Sequence, residues 1–174
     1  MITPKIAEQI NAQLNRELFS SYFYLGLSAA AETAGFKGTA AWFFAKHEEE
    51  NAHAMKFYRY LLDQGAEVEL RAISQPPAGH DGQLDLFEKT LEHEQGVTAA
   101  INDLVDAALT AKDHATNIFL QWFVTEQIEE EATVNDIIVR LRLVGDRGEG
   151  LYMMDKELAG LAVEMTQTAD TTAN

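Results

Sequence analysis

The chain has 174 residues, with 13 Lys and Arg against 28 Asp and Glu, a formal net charge of −15. The length suits one domain, and 47% hydrophobic with 24% charged residues is an ordinary soluble composition that excludes disorder of the whole chain. The acidity argues against nucleic acid and for cations as partners, and the lack of cysteine excludes disulfides, thiolate zinc sites, iron–sulfur clusters and cysteine nucleophiles.

Thr3-Pro4 is a helix start, a capping hydroxyl followed by proline at the first helical position. The first helix is predicted from Pro4 to about Ala34, where Gly35-Phe36-Lys37-Gly38 makes a turn, and a second from about Thr39 to Gln64, stopped by Gly65. Residues 67–82 hold Pro76-Pro77 and two glycines and read as a connection. A third helix is expected from about Gln83 to Ala111, a corner at Lys112-Asp113, and a fourth helix to about Val144. GDRGEG at 145–150 is a break, followed by a short fifth helix, about Leu151 to Val163. The expected organisation is a bundle over 1–145, the fifth helix within 146–163, and a flexible tail over 164–174. Met1 to Ile10 show no basic-then-apolar signal pattern, and no run of about 18 apolar residues is present to span a membrane, so a cytoplasmic protein without a membrane partner is expected.

Helices of about 27 residues are roughly 40 Å long at about 1.5 Å per residue. The first and third turns are short, which makes those helix pairs antiparallel. The sixteen-residue middle connection can stretch to roughly 53 Å at about 3.3 Å per residue, enough to run the full length of a bundle. The expected fold is all-α: a four-helix bundle with one long crossover and a short fifth helix.

Each helix has an apolar stripe at spacings of three and four, and each stripe is interrupted near its middle by a carboxylate. Glu17 follows Ile10 and Leu14; Glu50 and His53 lie between Phe43 and Phe57; Glu94 follows Phe87 and Leu91; Gln127 and Glu130 lie between Phe123 and Val134. One buried carboxylate is commonly a half-exposed residue on a stripe drawn too wide, but four on four helices weaken that reading. Burial costs several kcal/mol unless a cation compensates. The stripes show no Lys or Arg nearby, which leaves a metal ion. Glu50 and His53, like Gln127 and Glu130, are three residues apart and share a helix face. Carboxylates with one imidazole suit iron or manganese better than zinc or copper, and glutamates from separate helices can hold two ions close together.

With these ligands the sequence resembles the bacterial non-haem ferritins over essentially its full length, through LNRELFSSYFYLGLSA, HEEENAH, LEHEQ, FLQWFVTEQIEEE and GEGLYMMDKEL. The resemblance implies a ferritin-like fold and an iron storage protein with ferroxidase activity. It implies Fe(II) oxidised by O2 or H2O2 at an intrasubunit di-iron centre, and ferric mineral held in a homo-oligomeric shell of 24 subunits. Glu17, Glu50 and His53 would hold the first iron; Glu50 would bridge; Glu94 and Glu130 would hold the second, with Gln127 beside them. A third iron site would draw on Glu49, Glu126, Glu129 and Glu130. Tyr24 matches a tyrosine next to the centre and Trp122 an aromatic near it. The second E-x-x-H of bacterioferritins is replaced here by Gln127-Ile128-Glu129-Glu130, and the haem-binding Met by Asn51, so no haem is expected. Positions matching the acidic threefold channel of animal ferritins are Asn117 and Leu120, which points iron entry elsewhere.

The remaining candidates read as structural. His47, His80, His93 and His114 have no partner at ligand spacing, Glu48 and Glu131 suit a solvated face, and Met153 and Met154 suit packing. Two other functions compete: a di-iron oxidase or oxygenase acting on an organic substrate, which would need an apolar pocket beside the metals, and a metal-free acidic bundle.

Overall fold

The computed structural model describes residues 2–77, 80–145 and 147–172, with the backbone alone for 168–172. Helices α1 (Pro4–Thr33), α2 (Lys37–Asp63), α3 (Gly82–Thr110), α4 (His114–Val144) and α5 (Gly148–Thr172) are the regular elements among the described residues. None of these helices is long and apolar enough to cross a membrane. The Thr3 hydroxyl accepts from the Ile6 amide at 3.3 Å to cap α1. Asp113 caps α4 by accepting from the Thr116 amide at 3.1 Å. Between α3 and α4 the chain turns on Lys112, at φ +55°, the one non-glycine residue with positive φ among those described.

The helix pairs pack as the connection lengths require. Phe43 stacks on Phe87, and Gln83 donates to Thr39, so α2 and α3 run parallel. Tyr60 meets Thr116, and Phe57 meets Phe119 and Phe123, so α2 and α4 run antiparallel. The crossover is anchored where it leaves α2. Asn11 accepts from the Glu69 amide at 2.7 Å and donates to the Glu67 carbonyl at 2.9 Å. One turn on, Asn15 accepts from the Arg71 amide and donates to the Glu69 carbonyl, both at 2.7 Å. Two asparagines four residues apart on α1 thus satisfy the backbone of an extended strap that has no strand to pair with.

The fifth helix departs from expectation. It begins at Gly148 and continues to Thr172, well past Val163, so the segment expected to be a flexible tail is helical as far as it is described; residues 173–174, like Met1, lie outside the described residues. No Gly or Pro follows Gly160 to stop it, and Leu161 and Met165 pack against the apolar cluster beside α2. It packs on the start of α2. Asp155 accepts from the Gly38 and Thr39 amides at 2.9 and 2.8 Å and from the Thr39 hydroxyl at 2.9 Å, supplying a cap that α2 lacks locally. Gly38 is required there, since a Cβ would collide with the Asp155 carbonyl oxygen.

The buried apolar residues form two clusters at the two ends of the bundle. One contains Phe23, Trp42, Phe43, Phe87, Ile137 and Leu158. The other contains Ile10, Leu14, Phe57, Leu61, Ile101 and Leu120. Leu120 is fully buried there. Between the clusters, at mid-bundle, the stripes turn polar.

Candidate metal centre

Glu17, Glu50, His53, Glu94, Gln127 and Glu130 are all buried, each held by a helix whose apolar neighbours face the core above and below it. Ligand atoms of Glu17, Glu50 and His53 lie within 4.8 Å of one another. His53 Nδ1 is 3.6 Å from Glu50, and the ring is backed edge-on by Trp122 and Phe123. Gln13, one turn before Glu17, donates to it at 2.6 Å. Glu94 accepts from the Tyr24 hydroxyl and from the Gln127 amide, the latter at 3.1 Å. Gln127 therefore orients Glu94 through its nitrogen and turns its amide oxygen elsewhere.

The electrostatics record how strongly these carboxylates crowd. Burial, then the Glu50 charge, pushes Glu17 well above the usual carboxylate range. Burial and Glu50 also push Glu94 up. Glu130 rises to about 8, because burial with Glu49, Glu94 and Glu50 outweighs the opposing charge of Lys46. Burial alone would raise Glu50, but His53, Lys46 and a hydrogen bond from Glu17 bring it down to about 2. Burial lowers His53, and Glu50 more than reverses this. Burial and then Glu94 hold the Tyr24 phenol protonated, as a donor. One site thus sets three carboxylates raised by burial and mutual crowding beside one that is lowered by its cationic neighbours.

The reading that no lysine or arginine stands near the stripes is overturned. Lys46 is buried on α2, one turn before Glu50, and its ammonium donates to Glu130 and, at 2.6 Å, to Glu49. Three carboxylates hold it charged against the penalty of burial. The signal was in the stripe: Phe43, Lys46 and Glu50 follow at intervals of three and four, and a long aliphatic stem lets a lysine enter a core beside carboxylates. Metal is therefore not the sole neutraliser, but one ammonium cannot offset four buried glutamates.

Of the residues implied for a third ion, Glu49 and Glu126 gather with His53, their ligand atoms within 4.8 Å. Glu130 meets Glu49 through Lys46. Glu129 is exposed and belongs to neither group. A cavity of ≈ 580 Å³ between α2, α4 and α5 reaches this group, with Glu49, His53 and Glu126 on its wall and Lys56 among its lining. The Lys56 ammonium sits 3.0 Å from the centre of the Trp122 ring.

The histidines read as structural find structural places where the contacts are described. His93 stacks on Phe23 and meets the Ser20 hydroxyl at 2.8 Å, and burial pushes it down to about 4. His47 meets the Ser21 hydroxyl at 2.8 Å.

A ferritin-like domain family matches residues 7–144. A bacterial non-heme ferritin of Campylobacter jejuni is 39% identical over 163 residues, covering 94% of this chain and 98% of that protein. One from Escherichia coli is 41% identical over 161 residues, covering 92% and 98%. An open-pore ferritin from Archaeoglobus fulgidus, known from its crystal structure, superposes with a TM-score of 0.90 at 42% identity, covering 91% of this chain and 98% of that one.

Proposed function

The chain belongs to the ferritin-like family, and from that premise we propose that it is an iron storage protein with ferroxidase activity. Fe(II) is the substrate. Glu17, Glu50 and His53 take the first ion, Glu50 bridges, and Glu94 and Glu130 take the second. Gln127 and Tyr24 position Glu94. Two Fe(II) become Fe(III) and give up two electrons; with two protons these convert O2 to H2O2, or H2O2 to two waters. The two protons come from water. The ferric product passes to an acidic interior and is stored as mineral in a cytoplasmic, 24-subunit homo-oligomer. Of the residues implied for a third ion, Glu49 and Glu130 already hold the Lys46 ammonium.

The observation that carries this is the mid-bundle polar layer: buried glutamates from four helices, with one imidazole, set between two apolar clusters. The cavity that reaches it has Glu48, Glu49 and Glu126 on its wall beside the apolar Trp42, Leu161 and Met165, and the three carboxylates give a cation a path to the centre. Stopped-flow oxidation of Fe(II) tests the assignment. Glu50→Ala and His53→Ala are each expected to lose the fast phase, by about a hundredfold or more in rate. Unchanged rates in both variants would refute the site.

A further inference from the structure

Lys46 is the one buried cation in this layer among the described residues, and the two-ion chemistry gives it no part. It is 3% exposed. Its ammonium lies between Glu49, at 2.6 Å, and Glu130, and these two carboxylates fix its place. Burying an ammonium is tolerated where charged acceptors surround it, and leaving requires both ion pairs to break together. A divalent ion bridging the same two carboxylates would bond their oxygens at about 2.0–2.2 Å. It would therefore have to lie where Nζ now lies.

We propose that Lys46 is a tethered cation standing in for the third ion, so that a divalent cation enters between Glu49 and Glu130 only by expelling the ammonium. The inference rests on the two-ion reading above. An ammonium on the chain is always within reach and needs no capture from solution, so it competes at a high effective concentration. Glu49 then serves as a clamp for Lys46 instead of as a ligand, and Glu130 keeps its second carboxylate oxygen for the two-ion centre. Glu126 faces the position from the cavity side with His53, but it lacks the bridge to Glu130 that an inner third site needs. Lys46 in this way sets the number of ions the subunit holds at two, and each oxidation draws on two Fe(II) with no third beside them.

The test counts and places ions without relying on turnover. Metal-free assembled protein is titrated anaerobically with Co(II), and Co(II)-soaked crystals are mapped by anomalous scattering. The wild type is expected to bind two tight Co(II) per subunit, with no peak between Glu49 and Glu130. Lys46→Gln is expected to gain a third tight Co(II) there, with an affinity at least about tenfold above any third ion of the wild type. A wild-type peak between Glu49 and Glu130 overturns the proposal, and so does a folded Lys46→Gln protein that still binds two. If Lys46→Gln does not fold, the wild-type map alone decides. Fewer than two tight ions in the wild type would instead overturn the two-ion reading, and this inference with it.

Discussion

A buried carboxylate without its metal acts on folding as well as on chemistry, and Glu130 gives this a measurable sign. Its pKa is raised to about 8 in the folded chain, against an ordinary glutamate value of about 4.3 unfolded. Between those two values the native state holds more protons than the unfolded one, so stability falls as pH rises. Glu17 and Glu94, also raised, act in the same direction. Glu50, at about 2, stabilises above the ordinary glutamate value and loses that contribution as the pH drops through about 2. His93, held down to about 4, acts oppositely up to about pH 6.5, so the metal-free protein is expected to melt at falling temperatures from about pH 6.5 to pH 8, by about 2 kcal/mol. Divalent cations should flatten the slope, since they replace the protons. Calorimetric scans at several pH values, with and without Co(II), check this; a metal-free protein whose melting temperature climbs over that range would contradict the assigned directions.

At the scale of elements, proline and glycine punctuation made α1 to α4 and the crossover readable, because helix ends are local events. Contacts between elements were less readable. Lys46 was passed over because a stripe pattern registers which face a residue occupies and not which neighbour it meets across the bundle. Asn11 and Asn15 look like ordinary polar helix positions until the crossover strap lies against them. Gly38 reads as a turn residue, yet its need comes from the close approach of α5. The extent of α5 was missed for a related reason: a polar, threonine-rich end has weak intrinsic helix preference, and packing on α2 prevails. The Asp155 cap links those two helices and can be isolated. Asp155→Ala leaves the Gly38 and Thr39 amides without their acceptor, and is expected to cost about 1–2 kcal/mol. Thermal unfolding would register this, and limited proteolysis should show earlier cleavage within α5. An unaltered melting temperature would mean that the cap contributes nothing net.

For the whole molecule, the distribution of exposed apolar side chains bears on assembly. Tyr22 lies on α1, Leu70 and Ile73 on the crossover, Leu109 on α3, Ile118, Ile128 and Leu143 on α4, and Tyr152 and Met153 on α5, all of them substantially exposed in the single chain. A protein that functioned alone would gather few such residues, and a simple dimer would gather them on one face. Here they come from every helix and from the crossover, as a closed assembly with several distinct interfaces per subunit would use. The two large apolar residues exposed on α2, Phe44 and Leu62, flank its middle, where Glu48 and Glu49 line the cavity. In the proposed shell, that arrangement would let the acidic surface face the enclosed space while exposed apolar side chains elsewhere meet other subunits. The native mass is accordingly expected to be several hundred kDa against 19.3 kDa for one chain, with iron retained far in excess of two ions per subunit after aerobic loading. Light scattering with an iron assay on the same fraction measures both. A particle of a few tens of kDa holding two irons per chain would return the protein to the di-iron oxidases, with the cavity beside His53 as the place for an organic substrate.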